Sequence, residues 1–251
     1  MTTQTQTTLS IGVIGLGAMG KGMASSLRRA GHHVSVCDVR YEAAEAFAQE
    51  GGSAYKTPAE LAQATDIIVS VVVNAEQTEQ VLFGTHGAAA HMKAGSLFIM
   101  CSTVDPNWSV ALEKRLNDMG LLYLDAPISG GAAKAASGQM TMMTSGQAAA
   151  FAKAGNALES MAANVYKLGD CAGYGSKVKI INQLLAGVHI AAAAEAMALG
   201  LREGVAADAL YEVITNSAGN SWMFENRMAH VLKGDYTPLS AVDIFVKDLG
   251  L

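Results

Sequence analysis

Residues 11–20 read IGVIGLGAMG, and this stretch decides the fold. A short apolar run leads into Gly15, and Gly17 and Gly20 complete a GxGxxG motif just before a helical pattern begins. The motif is a weak signal alone, but a strand before it and a helix after it are what a dinucleotide-binding turn requires. Gly15 permits the tight turn, Gly17 lets the backbone approach a pyrophosphate, and Gly20 lets the helix pack closely on the strand. The N–H groups at the start of the helix then face the phosphates.

Asp38 lies 18 residues after Gly20, at the end of the second predicted strand. A carboxylate there can accept hydrogen bonds from ribose hydroxyls and would repel the 2′-phosphate of NADP, so it favours NAD. Arg40 could instead attract that phosphate, which keeps NADP as the alternative, and a tight turn without any ligand is the other alternative. The loop residues expected to bind the cofactor are Gly15, Leu16, Gly17, Ala18, Met19 and Gly20.

Short apolar segments alternate with helical patterns through the first 170 residues. This alternation is typical of βαβ units and predicts an α/β fold with a mostly parallel sheet of Rossmann type. Capping signals at Thr57 and Asp105, each followed by proline, begin two of the helices. The predicted strands are residues 11–14, 34–37, 67–73, 97–101, 121–124, 140–144 and 165–168.

The pattern becomes all-helical after about Gly169. No proline interrupts residues 176–203, which predict one helix of about 42 Å at 1.5 Å per residue. Its centre is apolar nearly all round, so other helices are expected to enclose it. Because one small helical domain can hardly cover it, a homodimer or homotetramer is expected. We therefore predict a dinucleotide-binding Rossmann domain at 1–170 and a helical substrate and oligomerisation domain at 171–251.

Composition excludes several classes of protein. The chain has 251 residues, of which 51% are hydrophobic and 16% are charged, so it can bury a sizeable core and is not disordered. With 17 basic and 22 acidic residues the net charge is −5, and a pI of about 5.7 argues against binding of nucleic acid through phosphate contacts.

The positions of cysteine and histidine argue against a metal site. Cys37, Cys101 and Cys171 are far apart and form no Cys/His cluster, so neither zinc nor disulfides are expected. His32 and His33 follow the first helix and are interpreted as a solvated turn. The Thr/Gln-rich N-terminus, residues 1–10, has the composition of a frayed tail and not of a signal peptide. The longest apolar stretch is shorter than the roughly twenty residues that span a membrane, so a cytoplasmic protein without a membrane partner is expected.

Four motifs resemble those of the β-hydroxyacid dehydrogenase family and occur in the family's order. They are GLGAMG at 15–20, DAPISGG at 125–131, GYGSKVK at 173–179 and VKDL at 246–249. Three longer stretches, residues 179–189, 218–227 and 241–248, are most similar to family members that oxidise L-threonate. The resemblance covers nearly the whole chain and implies a nicotinamide cofactor and a small hydroxy-acid substrate.

The resemblance also implies roles for individual residues. Lys179 matches the catalytic acid/base, and Ser129, Gly130 and Gly131 match the group that holds the substrate carboxylate. The residues that match further cofactor contacts are Val73, Asn74, Thr78, Thr103 and Lys247. The chemistry agrees with this assignment, because oxidation by hydride transfer needs a base for the hydroxyl proton and a clamp that fixes the reacting carbon. A hydroxyl and two backbone N–H groups can clamp a carboxylate.

Two lysines and two amides compete for the catalytic roles. Lys177 and Lys179 lie two residues apart on a predicted helix and therefore point to nearly opposite faces. Lys179 shares its face with Asn182 and Gln183, whereas Lys177 is interpreted as a surface charge. Many family members place asparagine four residues after the catalytic lysine, where this chain has Gln183 and places Asn182 one residue earlier. Which amide orients the substrate is left open.

The expected reaction is NAD-dependent oxidation of a small hydroxy acid, with L-threonate converted to 2-oxo-tetronate as the first expectation. The alternatives are 3-hydroxyisobutyrate dehydrogenase or tartronate semialdehyde reductase-like activity, an imine reductase, which Lys179 argues against, and a nucleotide-binding module without turnover. Family members usually continue with more helices after the Lys-Asp motif, so the helical domain is expected to be incomplete at Leu251.

Overall fold

A computed structural model describes residues 8–237 and 242–251 of the chain. It confirms the predicted fold class, with a mostly parallel sheet and flanking helices followed by a helical region. The chain divides into two compact units, residues 1–179 and 180–251. The sequence predicts a domain boundary between residues 170 and 171, in the loop that precedes the longest helix and therefore before this division. That boundary stays a prediction. Most of the expected N-terminal tail, residues 1–7 of 1–10, lies outside the described residues.

Within the described residues one nine-stranded sheet forms the first unit. Its strands are β1 (Ser10–Ile14), β2 (His33–Cys37), β3 (Ser53–Tyr55), β4 (Ile67–Ser70), β5 (Leu97–Met100), β6 (Leu122–Asp125), β7 (Ile128–Ser129), β8 (Met140–Ser145) and β9 (Ala162–Gly169). The spatial order is β3-β2-β1-β4-β5-β6-β8-β7, with β9 paired to β8. Strands β1 to β6 pair with one another in parallel, and β8 runs antiparallel to β6 and β7.

The central strands are buried on both faces, as their almost entirely apolar sequences predict. Every residue of β4 and β5 is buried, because helices cover both sides of a parallel sheet. Along β1, Ile11 and Val13 join one buried cluster and Ile14 joins another. The alternation along a strand therefore separates two cores, one on each face. Strand β4 ends at Ser70, earlier than the predicted residue 73, and leaves three valines at the edge of the sheet.

Eight α-helices of the described chain lie wholly in the first unit. They are α1 (Gly20–Arg29), α2 (Tyr41–Gln49), α3 (Pro58–Ala64), α4 (Ala75–Phe83), α5 (Pro106–Asp118), α6 (Gly131–Ser137), α7 (Ala148–Ala154) and α8 (Ala157–Met161). Both predicted caps are confirmed, because the side chain of Thr57 accepts from the N–H of Glu60 and that of Asp105 accepts from the N–H groups of Asn107 and Trp108.

His32 is buried, so its interpretation as part of a solvated turn is wrong, whereas His33 is exposed. The Nδ1 atom of His32 accepts from the N–H of Leu9 at 3.3 Å, and its Nε2 atom lies 3.2 Å from the Ser160 hydroxyl. Because the Ser160 hydroxyl donates to the carbonyl of Asn156, it accepts from His32, and the neutral ring with its proton on Nε2 satisfies both contacts. Burial lowers the pKa of His32.

We expect acid to destabilise the first unit through His32. Since its pKa is lower in the folded chain, the neutral ring contributes stability that is present above about pH 6.5 and is lost as the pH falls through the folded-state pKa. Thermal unfolding at pH 7, 6 and 5 should therefore show a smaller fall of Tm for His32→Gln than for the wild type. His33→Gln is the exposed control and should keep the wild-type dependence. Equal falls in the wild type and His32→Gln would contradict this role.

The long helix that the sequence predicts is confirmed as α9 (Tyr174–Arg202). In the described residues it is followed by three further helices, α10 (Ala207–Thr215), α11 (Trp222–Leu232) and α12 (Asp243–Asp248). The core of the second unit is small and centres on Ala193, Met197, Phe224 and Met228. The aromatic ring of Phe224 stacks on that of Tyr211 at 6.1 Å between centroids.

The described chain leaves much of α9 uncovered. Only 22% of its most apolar 18-residue stretch is buried. The side chains of Ile181, Leu184, Leu185 and Val188 are exposed. The expectation that helices enclose it is not met by the described chain alone, because α10 and α11 form only a small core with it. Among the described residues, α9 is also the one helix long and apolar enough to cross a membrane. Core helices of soluble proteins have similar length and composition, so this finding does not by itself indicate a membrane.

Candidate active site

The carboxyl ends of β1 and β4 meet where the order of strands in the sheet reverses. The chain goes from β1 outward to β2 and β3 on one side and from β4 outward to β5 and β6 on the other. Ligands of doubly wound folds bind outside the carboxyl ends of the strands at such a switch point. Gly15, Asp38, Asn74 and Thr103 each follow one of these strands, so the structure brings these predicted residues to one edge of the sheet.

Of the three motif glycines in the loop, only Gly17 has open space where a side chain would be. Gly15 has φ of 93°, and a Cβ there would lie 2.5 Å from the carbonyl oxygen of Val71. A Cβ at Gly20 would collide with the carbonyl oxygen of Gly15, so α1 starts directly against the turn. A Cβ at Gly17 would meet no atom within 4 Å. The loop therefore fits a dinucleotide whose pyrophosphate approaches the backbone at Gly17.

Asp38 ties the second strand to the glycine loop. It is buried, its Oδ2 atom accepts from the N–H of Leu16 at 2.6 Å, and its Oδ1 atom accepts from the N–H of Arg40 at 2.8 Å. The Nε atom of Arg40 lies 3.7 Å from the same Oδ1 atom on a largely exposed side chain. Burial and the neighbouring Asp38 carboxylate raise the pKa of the Cys37 thiol to about 11. The glycine loop and Asp38, the two sequence features that predicted a nucleotide site, are thus joined directly by the hydrogen bond from Leu16.

Gly17→Ala should weaken dinucleotide binding without unfolding the protein. The added methyl group meets no protein atom, so Tm should stay within about 3 °C of the wild type. The methyl group would occupy the space that a pyrophosphate needs, and calorimetric titration with NAD+ should show a Kd at least about tenfold higher. In the control, Gly15→Ala, positive φ and the contact with Val71 should lower Tm. Unchanged affinity in Gly17→Ala would place the pyrophosphate elsewhere.

Val73 and Asn74 lie in the loop between β4 and α4. Asn74 caps α4, because its side chain accepts from the N–H of Gln77 at 2.8 Å. The N–H of Val73 in turn donates to the Gln77 side chain at 2.9 Å, and the Val73 side chain is exposed. These contacts hold the loop in shape and leave the Val73 side chain accessible to a ligand.

Thr78 connects two loops at the carboxyl edge from a fully buried position. Its hydroxyl donates to the carbonyl of Asn74 at 2.9 Å and lies 3.3 Å from the hydroxyl of Ser102. Ser102 donates to the carbonyl of Val72 at 2.8 Å and directly precedes Thr103. Thr78 is therefore placed to fix the loops that carry Asn74 and Thr103, and its direct contact with the cofactor stays a prediction.

The predicted carboxylate clamp lies where β7 joins α6. Gly130 and Gly131 have φ of 142° and 76°, values that favour glycine, and together they turn the chain into α6. A Cβ at Gly131 would meet no atom within 4 Å, so an anion has room to approach the backbone there. Ser129 is half-buried beside this turn. The local geometry fits a carboxylate held by a hydroxyl and backbone N–H groups.

Asp125 is a buried residue of the same motif that the sequence did not single out. Its Oδ2 atom accepts from the N–H groups of Gly173 and Ser176, both at 2.9 Å, and from the Ser145 hydroxyl at 3.1 Å. Its Oδ1 atom accepts from the Ser176 hydroxyl at 2.7 Å. Burial raises the pKa of Asp125, and these hydrogen bonds oppose that rise. Because every one of these partners donates, the ionised carboxylate fits the cluster. The signal available in the sequence was an acidic residue at the end of an apolar strand.

Lys179 lies in the second turn of α9 and is buried, with 7% of its surface exposed. Lys177 is exposed, and its ammonium group lies 4.9 Å from the centre of the Tyr174 ring. The predicted separation of the two lysines onto opposite faces is therefore confirmed. A buried amine on a polar stretch of helix is suited to accept or donate a proton where bulk water is excluded.

The remaining predicted residues belong to the second unit. The Nε2 atom of Gln183 donates to Asp248 at 2.6 Å, and its Oε1 atom lies 3.3 Å from the side-chain nitrogen of Asn182. The ammonium group of Lys247 lies 2.6 Å from the other oxygen of Asp248. Gln183 is buried and oriented by Asp248, whose part in this cluster the sequence did not reveal, while Asn182 is half-buried. Which amide orients a substrate stays open.

Comparisons with known proteins agree with this arrangement. The model for the NAD binding domain of 6-phosphogluconate dehydrogenase matches residues 10–169, and the model for NAD-binding of NADP-dependent 3-hydroxyisobutyrate dehydrogenase matches residues 173–251. L-threonate dehydrogenase of Cupriavidus necator is 66% identical, over 96% of this chain and 82% of its own length. L-threonate dehydrogenase of Escherichia coli K12 is 50% identical, over 96% and 80%. A crystal structure described as 3-hydroxyisobutyrate dehydrogenase from Salmonella typhimurium is 52% identical, with a TM-score of 0.90, over 96% of this chain and 84% of that one.

Proposed function

The chain belongs to the β-hydroxyacid dehydrogenase family and is an oxidoreductase that uses a nicotinamide dinucleotide, and on this premise we propose that it oxidises L-threonate at C2 to 2-oxo-tetronate. The observation that carries this substrate is the identity of 66% and 50%, along 96% of the chain, to two proteins named L-threonate dehydrogenase. The buried Lys179 supports turnover and argues against a module that only binds nucleotide.

Each group of the first unit has a separate task in this reaction. When bound, the oxidised nicotinamide accepts the hydride from the carbon that carries the hydroxyl. Lys179 accepts the proton of that hydroxyl, and Ser129 with Gly130 and Gly131 holds the substrate carboxylate. The roles of Asn182 and Gln183 in orienting the substrate and of Lys247 near the cofactor are part of the same proposal.

We propose NAD as the preferred dinucleotide. Asp38 presents a buried carboxylate at the end of β2, where a 2′-phosphate would meet a negative charge. Arg40 carries the nearest opposite charge, but it lies beside the Asp38 carboxylate at 3.7 Å. The remaining contacts to the dinucleotide are assigned to the glycine loop and to Val73, Asn74, Thr78 and Thr103.

We propose a homodimer or homotetramer in the cytoplasm. The exposed apolar side chains of α9 support this assembly, because a second copy would remove them from water. The predicted domains, 1–170 for the dinucleotide and 171–251 for substrate and assembly, are part of the same proposal.

Formation of NADH from NAD+ and a panel of hydroxy acids tests the substrate. L-Threonate should give the highest kcat/KM, above D-threonate, 3-hydroxyisobutyrate and L-serine, because the proposal requires a polyhydroxy acid of defined configuration. Reduction of tartronate semialdehyde with NADH tests the alternative reductase activity. Turnover of 3-hydroxyisobutyrate but not of L-threonate would overturn the proposed substrate.

A further inference from the structure

We infer that Asp125 is a positioning residue that sets the place of Lys179 relative to the carboxylate clamp. This inference rests on the proposed function, since it assumes that Lys179 is the base and that residues 129–131 hold the substrate. Asp125 lies four residues before the clamp and binds the start of the helix that carries Lys179. One buried carboxylate therefore joins the two parts of the site in the first unit.

The first turn of α9 is held through several independent hydrogen bonds. Ser176 donates to Asp125 through both its N–H and its hydroxyl, and Gly173 donates through its N–H. The N–H of Gly175 donates to the Ser145 hydroxyl at 2.9 Å, which in turn donates to Asp125. Donors from three of four consecutive residues converge on one anion, directly or through one hydroxyl, where the positive end of the helix dipole adds to the attraction. Lys179 follows Ser176 by three residues, less than one turn.

The glycines of the GYGSKVK motif let this helix start approach the sheet. A Cβ at Gly175 would collide with the carbonyl oxygen of Met143 in β8 and would lie 3.0 Å from that of Asp125. Gly173 has φ of 100°, and a Cβ there would lie 2.9 Å from the side chain of Val110 in α5. The start of the helix is thus pressed against the sheet on one side and against α5 on the other, which leaves it little freedom to tilt.

The chain between Asp125 and the clamp is fixed as well. The N–H of Ala126 donates to the carbonyl of Met100 in β5, and the carbonyl of Pro127 accepts from the N–H of Met143 in β8. Ile128 pairs with Met142 in β8. The segment that leads to the clamp is therefore bound to both neighbouring strands, and Asp125 is where this segment meets α9.

An amide holds this cluster less firmly than the carboxylate. The best-placed asparagine would turn its NH2 group to the Ser176 hydroxyl, which could rotate to accept but would lose its own buried acceptor. Its uncharged oxygen would accept from the other three donors, and hydrogen bonds to a neutral acceptor are weaker than those to a carboxylate. The helix start would then be free to shift, and Lys179 would move with it. Because a displacement of about 1 Å in an active site can lower the rate about 100-fold, the effect should appear in catalysis.

The first test is the kinetics of Asp125→Asn against a matched carboxylate-to-amide control. Glu113→Gln serves as the control, because buried Glu113 accepts from the N–H of Ala172 in the same loop, ahead of α9. We expect Asp125→Asn to lower kcat by about 100-fold while the Kd for NAD+ stays within about twofold. Glu113→Gln should lower Tm and keep kcat within about threefold. If both variants lost stability and kept kcat, Asp125 would have only a structural role and the inference would be wrong.

A second readout does not depend on turnover and so separates this inference from the proposed function. Trace labelling with acetic anhydride, followed by mass spectrometry, gives the reactivity of Lys179 relative to that of exposed Lys177. Asp125→Asn should change this ratio by at least about fivefold, whereas Glu113→Gln should leave it unchanged. If Asp125→Asn altered the labelling ratio but the wild type oxidised no hydroxy acid, the positioning role would be supported and the proposed substrate would be rejected. An unaltered ratio would overturn the positioning role.

Ser176→Ala is the variant to use if Asp125→Asn fails to fold. It removes the 2.7 Å hydrogen bond to Asp125 and keeps the carboxylate and the bonds from both backbone N–H groups. A smaller change in the same direction is expected, with kcat lower by about three- to tenfold and the labelling ratio of Lys179 altered. Wild-type values of both would contradict the inference.

Discussion

Lys179→Met should lower kcat for hydroxy-acid oxidation by about 1,000-fold, the middle of the range that general acid–base groups contribute. Methionine has a similar length and fills a buried position without a charge, so the fold should be kept. The Kd for NAD+ should stay within about twofold, because the lost proton transfer belongs to the chemical step and not to dinucleotide binding. Stopped-flow measurement of NADH formation in a single turnover reports that step directly.

Lys177→Met is the matched control for this prediction. Lys177 lies two residues away on the same helix and is exposed, so its removal should leave kcat within about twofold. In the wild type, oxidation should become faster towards alkaline pH, because only the deprotonated amine can accept the hydroxyl proton, and this rise should disappear in Lys179→Met. If Lys179→Met kept more than about a tenth of the wild-type kcat, another group would have to be the base.

The sequence predicted those parts of the fold that local patterns specify. Residues 11–20 alone identified the strand, turn and helix of the nucleotide site, and their glycines have the geometry that each was assigned. The caps at Thr57 and Asp105 are found where predicted, because a capping residue followed by proline is a local signal. Helical periodicity likewise distinguished buried Lys179 from exposed Lys177.

The sequence did not predict features that depend on contacts between distant segments. The role proposed for Asp125 arises because residues 173–176 return to the end of β6, about 50 residues after it in the sequence, and no local pattern encodes that return. His32 comes soon after a helix, where exposed residues are common, but it contacts Leu9, just before β1, and Ser160 in α8. The apolar sequence of α9 predicted enclosure, but the described chain is too small to provide it.

Asp38→Ala should shift the preference from NAD towards NADP, with the ratio of the two kcat/KM values changing by about 100-fold or about 2.7 kcal/mol. Three effects act in the same direction. The variant removes the acceptor proposed for the ribose hydroxyls, which weakens NAD use, and it removes the negative charge that a 2′-phosphate would face. It also frees the guanidinium group of Arg40, which now lies 3.7 Å from the Asp38 carboxylate, to attract that phosphate. Initial rates with each dinucleotide give the ratio.

The double variant Asp38→Ala/Arg40→Ala separates these effects. If Arg40 recruits the phosphate, the absolute gain in NADP kcat/KM should be lost in the double variant, whereas the loss of NAD use should remain. Arg40→Ala alone should change NAD use by less than about threefold, because its side chain is largely exposed and its N–H, which donates to Asp38, is retained. A complication is that Asp38 also accepts from the N–H of Leu16, so loosening of the glycine loop would weaken both dinucleotides equally. Equal losses would leave the ratio unchanged and would show that Asp38 supports the loop but does not select between NAD and NADP.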